Sequence, residues 1–125
     1  MQAILLVGIG GFIGSVGRYG LGKLPITTEY PLMTMLINLL GALVIGFVSE
    51  LTKNKTSPNV SLFITTGLCG GFTTFSTFSL ETFTLLKNGK HLIGISYATS
   101  SVIVCFIGVW LGFLLAGLAR TKLTG

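Results

Sequence analysis

Four long apolar stretches are the feature that most constrains the fold of this chain. They cover residues 4–24, 32–51, 60–86 and 92–119, and each reaches the roughly 20 residues that a helix needs to cross a bilayer. A backbone in lipid must satisfy its own hydrogen bonds, and these stretches are too long and too uniformly apolar for barrel strands. The sequence therefore predicts an all-α membrane protein with four transmembrane helices.

Composition agrees with a protein that lies almost wholly in the bilayer. Only 9% of the residues are charged and the mean hydropathy is +0.88, whereas soluble domains carry about a quarter charged residues. The connections at 25–31, 52–59 and 87–91 are short, so residues 1–125 are expected to form a single domain. Cys69 and Cys105 both fall inside apolar stretches, where we expect small apolar side chains and not a disulfide.

The distribution of charge excludes some functions and leaves the orientation open. The eight basic residues form no patch, which argues against a nucleic-acid partner. One His and three Glu cannot supply a nucleophile, a base and an orienting group, so an enzyme is not expected. One side of the membrane holds Lys53, Lys55, Arg120 and Lys122, and the other holds Lys23, Lys87, Lys90 and, near a span end, Arg18. Such an even count permits insertion in either orientation but does not by itself select both.

Three polar side chains inside the apolar stretches each allow two interpretations. Arg18 is either an interfacial anchor or part of a vestibule that attracts anions. The Asn38 amide either links two helices or contacts a permeating species. Glu81 either has a functional role or pairs with a basic group near its helix end, such as Lys87.

The middle of the third stretch is the most informative part of the chain. A glycine pair, Gly70 and Gly71, is followed by a run of hydroxyl side chains, and this pattern favours a helix broken at mid-membrane around an ion site built from carbonyl oxygens. Phe75 and Phe78 are three residues apart, so both rings share one helical face. Their ring edges carry partial positive charge and suit a small anion, although aromatic residues at this spacing commonly pack in a core.

Two further patterns concern contacts between helices. Tyr97, Ser101 and Cys105 recur every four residues and form one mildly polar stripe. The glycine pairs Gly10 with Gly14 and Gly108 with Gly112 have the spacing that brings membrane helices close together.

Together these residues resemble the small Fluc (CrcB-like) fluoride channels over essentially the whole chain. The likeness lies in the Gly-rich first span ending in an Arg, in Thr34-Met-Leu-Ile-Asn38-Leu-Leu-Gly41, and in Thr65-Thr-Gly-Leu-Cys-Gly-Gly-Phe-Thr-Thr-Phe-Ser-Thr-Phe-Ser79. The last of these motifs is highly specific. The resemblance implies passive fluoride export by an antiparallel, dual-topology homodimer in the plasma or inner membrane of a prokaryote, with two pathways along the subunit interface.

The resemblance also implies roles for particular residues. Phe75 and Phe78 become the edge-on fluoride contacts, and Asn38 becomes an amide donor on the same path. The carbonyls of Gly70 and Thr73 would hold a structural sodium ion at the dimer centre. Arg18 would stand near the aqueous entrance, and the polar route would be lined or supported by Glu81, Thr77, Tyr97 and Ser101.

The sequence departs from the family pattern at its outer end. Arg18 is followed by Tyr19 where members of that family carry Trp, and the stripe of the fourth span ends at the apolar Val109. A small proton-coupled multidrug exporter is the alternative function, but it needs a carboxylate that is expected in the first span, which has none. A non-transporting scaffold subunit is a second alternative, but it would not need the buried Asn38 or the hydroxyl run of the third stretch.

Overall fold

The computed structural model describes residues 1–26, 28–53 and 58–124, and the side chains of all but the last two of these. The described residues are helical and form no strand, so the all-α prediction is confirmed for them. A π-helical segment, Leu62–Cys69, joins two of the helices. The α-helices are α1 (Gln2–Leu21), α2 (Leu32–Thr52), α3 (Pro58–Ser61), α4 (Gly70–Phe72), α5 (Phe75–Lys87) and α6 (His91–Thr124).

Three helices, α1, α2 and α6, are long and apolar enough to cross a membrane. This confirms a multi-pass membrane protein. The third apolar stretch is divided between α3, the π-helical segment, α4 and α5, so the prediction of four crossings is supported in part. Helix α1 ends at Leu21, three residues before the stretch at 4–24 does, and α6 continues beyond 119. Lys55 of the charge count and Asn54 lie outside the described residues.

Glycines set the helix packing, as the two predicted pairs indicated. Helix α1 lies on the π-helical segment and α4, where a Cβ atom on Gly14 would stand 2.8 Å from the Phe72 nitrogen. Helix α2 lies on α6, where a Cβ atom on Gly112 would stand 2.7 Å from the Phe47 nitrogen. Real Cβ atoms do not approach backbone this closely, so these positions require glycine.

Ion pairs join the elements at the two ends of α2. Arg120 donates from Nη2 to the Glu50 carbonyl oxygen at 2.9 Å and reaches the Glu50 carboxylate at 3.3 Å. Before α2 begins, Lys90 pairs with Glu29 across two connecting segments. Exposed pairs of the Lys90 type contribute little to stability, so their main effect is to fix the positions of the loops.

The predicted helix break lies at Thr73 and Thr74, three residues after the glycine pair begins. Thr73 has ψ 157° and Thr74 has φ −148° and ψ 110°, both extended, whereas Gly70 and Gly71 belong to α4. The predicted break is thus present, and it falls in the hydroxyl run that follows the glycine pair. Gly71 serves helix packing, since a Cβ atom there would lie 2.9 Å from the Gly11 Cα atom.

Candidate functional site

Helix α2 holds the break through Asn38. The Thr74 backbone N–H donates to Asn38 Oδ1 at 2.7 Å, and Asn38 Nδ2 donates back to the Thr74 carbonyl at 3.2 Å. Thr74 also caps α5, because its Oγ1 accepts from the Thr77 N–H at 3.2 Å. The interpretation of Asn38 as a helix link is thus confirmed by the geometry, with one amide N–H left for another acceptor.

Helix α1 holds the other side of the break. Ser15 Oγ and Arg18 Nε both donate to the Gly71 carbonyl oxygen, each at 3.3 Å. The helical donor for that carbonyl would be the N–H of Phe75, which instead begins a separate helix. The break is therefore fixed from two neighbouring helices.

Two carbonyl groups at the break lose the N–H donors that a continuous helix would give them. Gly70 O would accept from Thr74 N–H, which bonds Asn38, and Thr73 O would accept from Thr77 N–H, which bonds Thr74 Oγ1. Carbonyl oxygens are ligands for hard cations. The described residues contain no group of three or more His, Cys, Asp or Glu side chains that could hold a metal. Sodium binding at this point stays a prediction, in which the backbone oxygens of Gly70 and Thr73 would be the ligands.

Phe75 and Phe78 share one cavity of about 350 Å³, here called the phenylalanine cavity. Their ring centroids are 5.5 Å apart with planes inclined at 43°, and 78% of Phe75 is exposed. Four other predicted residues line this cavity: Asn38, Gly70, Thr73 and Ser101. The structure thus brings together the aromatic pair, the amide and the two candidate carbonyl positions.

Ser101 lies in the same cavity with an unsatisfied hydroxyl group. Its side chain is 4% exposed, and its Oγ atom has no hydrogen-bond partner among the described residues. A buried hydroxyl without a partner costs free energy, so it marks a position where a bound species could accept a hydrogen bond. Cys105, one helical turn later, lines the cavity too.

Tyr97 and Glu81 connect the aromatic pair to α2. The Tyr97 ring is fully buried and lies 5.4 Å from the Phe78 ring, centroid to centroid. Tyr97 donates from its hydroxyl to Glu81 Oε2 at 2.7 Å, and Thr34 Oγ1 donates to Glu81 Oε1 at 2.7 Å. The carboxylate is thus held by two hydroxyl groups, and the described residues show no ion pair between it and Lys87. A functional role for Glu81 stays a prediction.

Arg18 lines a second cavity of about 520 Å³, here called the arginine cavity. Glu81 and Thr77 line it as well, and so does a second cation, Lys23. Thr74, at the helix break, lines both cavities. The predicted site residues therefore fall into two adjoining spaces, with Tyr97 buried outside the lining of both.

Sequence reasoning missed three residues that position this site: Ser15, Thr34 and Thr74. Thr34 lies four residues before Asn38 on α2, so helical spacing could have placed both on one face. Ser15 precedes Arg18 by three residues on α1, so helical spacing could have placed these two on one face as well. Thr74 was part of the hydroxyl run, but its capping role depends on where the break falls.

Comparison with known proteins shows the family to which the chain belongs. Residues 5–113 match the family model described as "CrcB-like protein, Camphor Resistance (CrcB)". A protein of Chlorobium chlorochromatii named fluoride-specific ion channel FluC is 48% identical over 117 residues, which cover 90% of this chain and 91% of that protein. Proteins of the same name from Chlorobium phaeobacteroides and Ruminiclostridium cellulolyticum are 46% and 42% identical, each covering 93% of both chains. The chain therefore belongs to the CrcB-like family.

Proposed function

We propose that this protein is a fluoride channel that lets fluoride leave the cell passively. The observation that carries the proposal is the phenylalanine cavity, in which an aromatic pair, an amide and the unpartnered Ser101 hydroxyl face one space. Relatives that match nearly the whole chain are named as fluoride-specific channels, which also makes a channel a better assignment than an enzyme.

The chemistry of this cavity suits a small, strongly hydrated anion. Dehydration of such an ion is costly unless donors replace its water shell. Ser101 offers a hydroxyl group, Asn38 keeps one N–H, and the edges of Phe75 and Phe78 carry partial positive charge. None of these groups is a fixed cation that would hold the anion too tightly to release it.

Passage between the two cavities would occur at the helix break. Arg18 draws anions into the arginine cavity, and Thr77 and Thr74 supply hydroxyl groups between that cavity and the phenylalanine cavity. Glu81 anchors Thr34 and Tyr97, because its two oxygens accept hydrogen bonds from their hydroxyl groups. Tyr97 in turn supports the ring of Phe78.

The working unit in this proposal is an antiparallel homodimer in the plasma or inner membrane of a prokaryote, with four crossings per subunit and two pores. Phe75 is 78% exposed on a single subunit, so a second subunit is needed to enclose a pathway along it. The even distribution of Lys and Arg removes the electrostatic preference for one orientation.

A structural sodium ion completes the proposal. The oxygens of Gly70 and Thr73 supply two ligands per subunit, and a hard cation of this kind takes several oxygen ligands. Two subunits that meet at this point would offer four. The ion would fix the broken helices against each other and would not be transported.

A proton-coupled multidrug exporter is not favoured. Helix α1 contains no acidic residue, and the Glu81 carboxylate is already bonded by two hydroxyl groups. The relatives are named as channels and not as exporters.

Fluoride efflux from liposomes tests the proposal. Purified protein in liposomes loaded with potassium fluoride should release fluoride when valinomycin carries the balancing potassium, and it should release little chloride under the same conditions. Release should follow the fluoride gradient without a pH gradient. Absence of fluoride release, or equal release of chloride, would contradict a selective fluoride channel.

A further inference from the structure

Arg18 and Ser15 converge on one backbone carbonyl beside the proposed sodium ligands. We infer that this pair on α1 is a positioning device: by occupying the Gly71 oxygen it fixes α4 so that the Gly70 and Thr73 oxygens are the ones offered to the cation. The inference rests on the proposed function and assigns Arg18 a second task besides attracting anions. Both side chains lie 3.3 Å from the Gly71 oxygen.

The local structure explains why α4 needs such support. Helix α4 continues the π-helical segment directly, but the extended residues Thr73 and Thr74 follow it, so the carbonyl groups at its C-terminal end have no next helical turn to donate to them. Asn38 fixes the break after Thr73, from α2. Ser15 and Arg18 fix it before Thr73, from α1, so the two ligand positions are enclosed between two sets of hydrogen bonds.

The guanidinium group can perform both tasks at once. Arginine has five N–H donors in a rigid plane, and the Nε donor of Arg18 is directed at Gly71 while the residue also lines the arginine cavity. Arg18 therefore connects the proposed cation site with the space through which the anion arrives. A lysine at this position would carry the charge without this fixed geometry.

The alternative is that Arg18 acts only through its charge. Lys23 is the matched control because it lines the same cavity and carries the same charge, but it lies over the Tyr19 ring at 4.9 Å instead of bonding the break. Ser15 donates a hydrogen bond to the same Gly71 carbonyl but carries no charge, so its replacement tests the hydrogen bonding alone. Ser96, which donates to the Ile93 carbonyl within α6, is its control.

The experiment measures sodium affinity without measuring transport. Purified protein is unfolded by heat across a sodium series at constant ionic strength with N-methylglucamine, and the sodium concentration for half-maximal stabilisation is read from the rise in Tm. Ser15→Ala should raise this concentration about fivefold, the factor expected for loss of one hydrogen bond. Arg18→Gln should raise it at least as much. Ser96→Ala and Lys23→Gln should leave it within about twofold of the wild-type value.

The outcomes separate this inference from the proposed function. An unchanged sodium midpoint in Ser15→Ala, or an equal shift in Lys23→Gln and Arg18→Gln, overturns the positioning role. If Arg18→Gln does not fold, Ser15→Ala decides alone. Sodium that stabilises neither the wild type nor any variant overturns the inference together with the sodium site. If the variants show the predicted shifts in sodium midpoint but the wild-type protein shows no fluoride flux, the proposed function is contradicted and the positioning role is supported.

Discussion

The Thr74 N–H lies 2.7 Å from Asn38 Oδ1, and this bond determines much of the site. It removes the donor that would have satisfied the Gly70 carbonyl in a continuous helix. It also starts α5 at Phe75, which places Phe75 and Phe78 on the cavity that Asn38 lines. One amide side chain thus links the aromatic pair to the candidate cation ligands.

Asn38→Asp should lower stability and block fluoride. The change keeps the acceptor for the Thr74 N–H but replaces the donor to the Thr74 carbonyl with a second oxygen, which leaves that carbonyl unsatisfied at a cost of about 1–3 kcal/mol. It also puts a negative charge beside the path of an anion. Chemical unfolding in detergent and liposome efflux measure the two effects.

The control for this charge is Asn88→Asp, at an exposed position outside both cavities. It should conduct as the wild type does, and its negative charge at the C-terminal end of α5 should lower stability by less than about 1 kcal/mol. Full fluoride flux in Asn38→Asp would contradict a position on the anion path.

Thr34→Val and Tyr97→Phe should each weaken the anchoring of Glu81. Each change removes one hydroxyl donor from a carboxylate that accepts two, and hydrogen bonds to charged groups contribute about 1.5–3 kcal/mol. Fluoride flux should fall in both variants, because Thr34 helps to hold Glu81, Glu81 holds Tyr97, and Tyr97 supports the ring of Phe78. A double-mutant cycle for unfolding should show that the two losses are not additive, since both bonds share Glu81.

Thr84→Val is the control for this pair, because its hydroxyl group donates to the Leu80 carbonyl on an exposed face of α5. It should change the free energy of unfolding by less than about 0.5 kcal/mol. Strictly additive losses for Thr34 and Tyr97 would show that the carboxylate does not couple them.

The sequence predicted which residues share a helical face when both residues lie in the same helix. Phe75 and Phe78 are three residues apart and Tyr97 and Ser101 four apart, so helical spacing alone placed each pair on one face. The glycine pairs predicted close helix packing for the same reason. Such patterns need no knowledge of the neighbouring helices.

Contacts between distant residues could not be predicted in this way. Asn38 and Thr74 are 36 positions apart, and Ser15 and Gly71 are 56 apart, so nothing local couples them. The bonds that Asn38 and Ser15 make fix the exact position of the break, which the glycine pair and the hydroxyl run located only to within a few residues. The π-helical segment before α4 has no local signature either. Hydroxyl and glycine residues can interrupt an α-helix at several positions, so the sequence does not show where such a segment forms.

Single cysteines at Asn54 and Asn88 should each react from both sides of the membrane. The background lacks Cys69 and Cys105, and both replacements leave the charge count unchanged. Asn88 is exposed at the end of α5. Asn54 lies outside the described residues and falls, by sequence, in the connection predicted at 52–59, on the opposite side in the predicted topology. Dual insertion predicts that an impermeant maleimide labels about half of each variant in intact cells.

Adding a positive charge gives the control for orientation. Asn88→Lys in the Asn54→Cys background should shift labelling of position 54 toward one side, because loops rich in Lys and Arg stay in the cytoplasm. Labelling of each position from one side alone, before any charge is added, would contradict the antiparallel dimer.

Phe75→Ile and Phe78→Ile should conduct poorly while remaining folded. Isoleucine keeps much of the apolar volume, and volume-conserving swaps commonly cost less than about 1.5 kcal/mol. It has no polarised ring edge, so each replacement removes one contact for a dehydrated anion. Fluoride flux should fall at least tenfold in either variant, measured per folded dimer after size-exclusion chromatography.

Phe83→Ile is the matched control, because Phe83 lies on the same helix, is 63% exposed and lines neither cavity. Its flux should equal that of the wild type. If Phe75 and Phe78 were only packing residues, their variants would conduct like Phe83→Ile whenever they remained folded. Equal flux in all three folded variants would therefore remove the aromatic pair from the pathway, and with it the observation on which the fluoride proposal rests.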